Sequence, residues 1–524
     1  MIQPDDPGSA IRLSTRPGLR RSSCAILPTV TRLIRTIMAE QPSAKPPDVS
    51  RAAFTLWLLF ILDAVLLTAF LQVMGASGRA TIARPIRRFL AATQEWDSWR
   101  VMQAAQEYLT APHDRPVYDA MLNAKGIKFQ YPLSSLLLTR HFSFASLNVI
   151  SWFSIVIVVV AVWLILRRSS TGTPLEFRRG DTLAGLAIVG VSLSFFPLME
   201  AYSLGQIQAW INALLALAIL AWLTKREDLA GVAVGLACLM KPTYLLFGVW
   251  AVVRRQTRFL LPMAGVVFLG TLAAIAAYSL ADNLDYLHAL RTMGGRGEAF
   301  YPNQSVNGVL NRLLGNGDSL KFDRSAFAPF HPIVAVGTVA FFAVCMSLAI
   351  WIPARLRAAG RTGDFAIALL TITMTSPIAW THHYGVLLPI MAATAPSMLA
   401  GKPLGRWTGA VLAACYVLAS QSIPFTNRLA GTPFGILQSY LFVSSLVILA
   451  MIYGSLSPQS GPASLLEQKR GDGVQVMAPD RPLMPPFSLY ERVRDTVLLK
   501  RLREGTVPWS GERVVLANAD PKQL

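Results

Sequence analysis

Residues 146–166 read SLNVISWFSIVIVVVAVWLIL and end on Arg167-Arg168. The stretch carries no ionisable side chain and matches the roughly 20 apolar residues that an α-helix needs to cross a bilayer. The paired arginines mark its cytoplasmic end, because Lys and Arg collect in the loops that stay on that side. Further apolar runs lie near 54–74, 182–199, 207–223, 229–240, 242–253, 259–280, 333–352, 365–379, 384–400, 407–423 and 436–454. The expected fold is an all-α polytopic membrane protein, a bundle of about twelve transmembrane or re-entrant helices.

Composition agrees with that reading. The 524 residues are 53% hydrophobic and 15% charged, with mean hydropathy +0.45, whereas charged residues approach a quarter of a soluble domain. The net charge of +19 would suggest nucleic acid in a soluble protein. Here the basic residues gather at the ends of apolar runs, as in Arg178-Arg179, Lys225-Arg226, Arg254-Arg255 and Arg355 with Arg357. That pattern is a topology signal and sets nucleic acid aside. Cys24, Cys238, Cys345 and Cys415 are scattered, and three sit inside apolar runs, so neither a disulfide framework nor a metal site is indicated.

Three regions follow. Residues 1–50 are basic, Ser- and Pro-bearing and aperiodic, which reads as a disordered cytoplasmic segment, with Met38 as a second candidate start. Residues 51–455 form the membrane domain, whose first run is too late and too long for a cleaved signal peptide. Residues 456–524 form a polar cytoplasmic tail. Alternation of the runs places both termini in the cytoplasm of a cell with the chain in its inner membrane. It places two large loops, 75–145 and 281–332, on the outer, periplasmic side. The Lys241-Pro242 break splits two runs too short to cross alone, which predicts a hairpin with Lys241 at its tip.

Polar residues in a membrane protein are candidates for function by default, because burying them is costly. Asp97, Glu200, Gln206, Lys241, Asn303, Ser305, Asn307, His382 and His383 all fall at outer run ends or in outer loops under this topology. A carboxylate in a partly desolvated loop suits a general base, and Asp97 has that position. It is also read as an interfacial carboxylate paired with Arg100. Asp63, inside the first run, is a rival that equally suits a helix-to-helix hydrogen bond. Lys241 suits a bound anion, or a lysine that snorkels. Arg291 and Arg296 are further candidate cations. His382-His383 suits a hydroxyl or an anionic oxygen, while the missing third ligand at helical spacing disfavours metal and leaves a divalent ion open. Gln206, Asn303 and Asn307 suit hydrogen bonds to a polar ligand, or helix caps.

Six motifs in order carry a resemblance: Trp96-Asp97-Ser98-Trp99-Arg100-Val101, Tyr131-Pro132, Leu204-Gly205-Gln206-Ile207-Gln208, Met240-Lys241-Pro242, Asn303-Gln304-Ser305-Val306-Asn307-Gly308 and Ser376-Pro377-Ile378-Ala379-Trp380-Thr381-His382-His383-Tyr384. The chain resembles glycosyltransferase family 87 from about Phe54 to Tyr453, although Val101 and Leu133 stand where that family commonly has Tyr and Pro. The resemblance implies a GT-C-type fold and an enzyme dependent on a polyprenyl-phosphate sugar, with mannose as the family-level sugar. It implies Asp97 as the catalytic base, Lys241, His382 and His383 at the donor phosphate, and Gln206, Asn303, Ser305, Asn307, Tyr131 and Trp380 around sugar or acceptor. The implied partners are the polyprenyl-linked donor, a lipid or glycan acceptor and the bilayer, with no cofactor and no nucleotide-sugar site. A lipid-linked-oligosaccharide ligase or polymerase, and a sugar or lipid transporter, are the alternatives.

Overall fold

The computed structural model describes residues 83–171, 179–356, 358 and 361–456. The run at 54–74, Asp63 and both tails lie outside the described residues. The described chain is helical with no strand, and one isolated antiparallel bridge joins Asn303 to Trp380. In chain order the helices are α1 (Ala83–Leu90), α2 (Asp97–Thr110), α3 (Leu133–Thr139), α4 (Phe144–Thr171), α5 (Arg179–Leu193), α6 (Phe196–Ser203), α7 (Gln208–Leu223), α8 (Glu227–Met240), α9 (Leu246–Arg254), α10 (Thr257–Tyr278), α11 (Leu280–Arg296), α12 (Val306–Leu313), α13 (Pro332–Arg355), α14 (Thr362–Met374), α15 (Leu387–Gly401), α16 (Thr408–Ser420) and α17 (Tyr440–Ser455).

Among the described residues, five helical segments are long and apolar enough to cross a membrane: 144–170, 257–278, 332–355, 381–401 and 433–455. A sixth arises if α5 and α6 form one bent span. The expected continuous run at 182–199 is in fact broken, with its two helices inclined by 61°. The reason is local: Pro197 sits in the first turn of α6, where its missing N–H costs nothing and starts a new helix. Helices 208–223 and 362–374 are apolar but shorter. The Lys241-Pro242 break is present as extended backbone at Lys241 (φ −148°, ψ 98°) followed by a 3-10 turn at Pro242–Leu245.

Packing is close where small residues allow it. A Cβ at Gly231 of α8 would lie 2.1 Å from the carbonyl oxygen of Phe259 on α10, so only glycine permits that approach. Trp222, Phe247, Trp250, Phe259 and Phe365 form an aromatic cluster joining α7, α9, α10 and α14. Beside it Arg254 Nε donates to Asp364 Oδ2 at 2.8 Å, and the same guanidinium serves the Ala349 and Ile350 carbonyls. The charge is buried and fully engaged, as burial of an ion requires.

The two segments expected as large loops are themselves helical and bonded to each other. Asp282 accepts from Val117 N at 3.1 Å, and Asp285 accepts from Tyr118 N and Asp119 N at 3.1 and 3.2 Å. These carboxylates from α11 satisfy the free N–H groups of a helical turn at 117–119. Lys128 donates to Glu298, and both side chains are about 95% buried. Helix α11 turns Asp282 and Tyr286 inward and leaves Leu280, Leu284 and Leu287 more than half exposed.

Candidate active site

The interlocked segments roof a cavity of about 1240 Å³. Its wall includes Asp97, Tyr131, Gln206, Lys241, Trp380, His382 and His383, which come from five separate stretches of chain.

Asp97 opens α2, and its position is fixed by backbone pairing between two loops. Glu95 N donates to Ser203 O at 2.8 Å, Asp97 N to Leu204 O at 3.0 Å and Ser98 N to Gly205 O at 3.2 Å. Gly205 has φ +67°, and a Cβ there would meet the Glu95 carbonyl oxygen at 1.8 Å. Glycine is therefore a requirement of this pairing. Gln206 follows immediately, and its Nε2 donates to Asp97 Oδ2. Its Oε1 accepts from Ser98 Oγ at 2.7 Å and from Tyr131 OH at 3.2 Å, so the amide cannot rotate without losing partners. Ser98, not singled out in the sequence, completes this support.

Asp97 is reached by solvent through the cavity, yet the protein around it displaces much of its hydration. That desolvation raises its pKa above the usual carboxylate value; the Gln206 hydrogen bond opposes it, Glu95 adds to it and Arg324 reduces it. No ion pair joins Asp97 to Arg100 among the described residues, although Arg100 also lines the cavity.

The second cluster lies across the Lys241 break. Lys241 Nζ is 2.8 Å from His383 Nδ1, which also accepts from Trp380 N at 3.0 Å. An Nδ1 that accepts leaves the proton on Nε2 of that ring. His382 Nε2 has no hydrogen-bond partner although it is buried. Asn212 holds the His382 carbonyl at 3.3 Å and is itself held by Gln208. Nitrogen donors thus converge on one part of the wall. Among the described residues no group of three His, Cys, Asp or Glu is placed to hold a metal.

Asn303, Ser305 and Asn307 do not line the cavity and are 0% exposed. Asn303 accepts from Ala379 N at 2.9 Å and donates to Glu298 O and Pro377 O. Ser305 caps α12 by accepting from Gly308 N, and Asn307 bonds Glu298 N, Asn311 and Thr338. With their polar atoms engaged inside the protein, they staple the 297–308 segment to the loop carrying Trp380 and the histidines. Arg291 and Arg296 also lie away from the cavity, whereas Lys128, Arg324 and Glu200 line it. Glu200, one of the polar residues at the ends of apolar runs, shares that wall. Lys128 and Arg324 carry no local motif.

The sequence profile of glycosyltransferase family 87 matches residues 129–379, a stretch containing Tyr131, Gln206 and Lys241. This segment is similar to glycosyltransferase family 87. Similar proteins agree. A polyprenol-phosphate-mannose-dependent alpha-(1-2)-phosphatidylinositol mannoside mannosyltransferase of Mycolicibacterium smegmatis is 27% identical, over 57% of this chain and 70% of that protein. Polyprenol-phosphate-mannose-dependent alpha-(1-2)-phosphatidylinositol pentamannoside mannosyltransferases of M. smegmatis and Mycobacterium tuberculosis are each 31% identical, over 37% and 40% of this chain. The match spans only 44% of the length of each of those two. These matches support a glycosyltransferase that depends on a polyprenyl-phosphate sugar.

Proposed function

We propose that this protein is a glycosyltransferase that moves one sugar, mannose by kinship with its relatives, from a polyprenyl-phosphate donor to a hydroxyl of a lipid or glycan acceptor, on the periplasmic face of the inner membrane. One observation carries the reading: a single cavity holds a desolvated carboxylate, Asp97, together with a nitrogen cluster of Lys241, His382 and His383. Asp97 takes the proton of the acceptor hydroxyl as that oxygen bonds to the anomeric carbon. The bond from the anomeric carbon to the phosphate oxygen breaks, and its electron pair leaves with polyprenyl phosphate. Attack from the side opposite the phosphate inverts the anomeric centre. Lys241 and the histidines stabilise charge that grows on the phosphate, so they act on the transition state more than on the bound donor.

The wall also suits an isoprenoid chain. Met240, Pro242, Leu245, Leu290 and Met293 line it, and α11 continues outward into the exposed Leu280, Leu284 and Leu287. Asp97→Asn keeps the shape and removes the base, so transfer should fall by about 10²–10⁴-fold. The measurement is transfer of labelled sugar from synthetic polyprenyl-phosphate mannose by purified protein in lipid, and a wild-type rate for the variant refutes the assignment.

A further inference from the structure

Glu200 lines the same cavity, and nothing in the mechanism above uses it. Its Oε2 is enclosed by protein yet has no hydrogen-bond partner. A buried carboxylate oxygen without a donor is costly, and such groups in a substrate cavity call for a reason. Among the described residues no cation is paired with Glu200, and the Arg84 guanidinium is bonded to Glu95 instead.

Position narrows the choice of ligand. Leu204 N donates to Glu200 O at 2.9 Å, and Leu204 O accepts from Asp97 N at 3.0 Å, so one residue ties Glu200 to the backbone of the base. A second anion beside a leaving phosphate would oppose departure, whereas a carboxylate with free lone pairs accepts from neutral hydroxyls, two at once if they are adjacent. Trp96, stacked on Phe144 at 5.0 Å, and Tyr301 line the cavity as well and offer ring faces for a sugar.

We infer that Glu200 binds a pair of neighbouring hydroxyls on the acceptor's sugar ring and so presents the reacting hydroxyl to Asp97. This rests on the transfer reaction proposed above. Glu200→Gln and Glu200→Ala should raise the acceptor KM about tenfold or more while donor KM and kcat stay within about threefold, and Glu200→Asp should restore part of the loss. Tryptophan fluorescence titration with methyl α-mannoside and its monodeoxy analogues reads binding without transfer. Wild-type protein should lose affinity when either hydroxyl is missing, and Glu200→Ala should bind parent and analogue alike. An unchanged acceptor KM with native-like unfolding temperature, a rise in donor KM instead, or equal titrations for wild type and variants overturns the assignment, as does failure of the wild type to bind the glycoside. A wild type that transfers no sugar from any polyprenyl-phosphate donor defeats the proposed reaction, and the titration still decides Glu200.

Discussion

Replacing Glu298 by Leu removes one partner of the buried pair that joins segments 75–145 and 281–332 and leaves Lys128 without that acceptor at any pH. Lys128 would keep its charge at 4% side-chain exposure, with the Phe322 and Phe327 rings 4.7 Å away as its remaining attraction. Breaking such a pair costs roughly 3–5 kcal/mol, because the surviving ion is left buried and unpaired. Burial outweighs the attraction of Lys128 and pushes the Glu298 carboxyl up to about 7, which favours the lower end, about 3 kcal/mol. The folded carboxyl thus holds its proton more tightly than the unfolded one, whose ordinary value is 4.5. That contribution to wild-type stability is fully present below about pH 4.5 and is lost as pH rises through about 7, a slope that Glu298→Leu lacks. The assay is thermal unfolding in detergent, followed by tryptophan fluorescence between about pH 5 and pH 9. The expected result is a fall of several degrees for Glu298→Leu that narrows toward alkaline pH. Adding Lys128→Met to Glu298→Leu should recover most of the loss. Unfolding of Glu298→Leu at the wild-type temperature near pH 6, or a double variant as unstable as the two singles summed, would refute the reasoning.

Two other outcomes test the geometry around the base. Since Asp97 must be ionised to act and its pKa is raised, activity should fall with decreasing pH at values above those of an ordinary carboxylate; Gln206→Leu removes the opposing hydrogen bond, so the acid limb of a kcat profile should move further upward. Gly205→Ala places a side chain on a left-handed backbone and against the Glu95 carbonyl, and should cost more than about 1 kcal/mol while lowering kcat, as read by unfolding and transfer assays on the same preparation.

The spans were legible wherever an apolar run is long, as at 146–166 and 333–352, because lipid demands that length of helix. The Lys241-Pro242 break was legible because proline forbids continuation. Pro197 carried an equally local signal for the bend at α6, but the apolar run around it masks the stop when only hydropathy is followed. Asp97, Gln206, Lys241 and His382-His383 stood out because polar groups at the ends of apolar runs are expensive, and the fold gathers them around one cavity. The Asn303-to-Asn307 motif looks alike at that level. Amides that bond a sugar and amides that bond a neighbouring loop have the same chemistry, and only the tertiary partners Pro377, Ala379 and Thr338 separate them. Lys128 and Glu298 were silent, since each is an ordinary loop charge until chain folding brings residues 170 positions apart into contact.

The carboxylates of Asp282 and Asp285 seated on residues 117–119 impose a parity rule on threading. If this contact lies on one face of the bilayer, the chain between residues 119 and 282 passes from side to side an even number of times. Segments 144–170 and 257–278 supply two passages. Should the bent pair 184–203 supply a third, a fourth is obligatory, and the apolar helix 208–223 is the one at hand despite its shortness. The local bilayer would then be thinned beside the cavity floor, where a lipid-borne substrate has the least distance to climb.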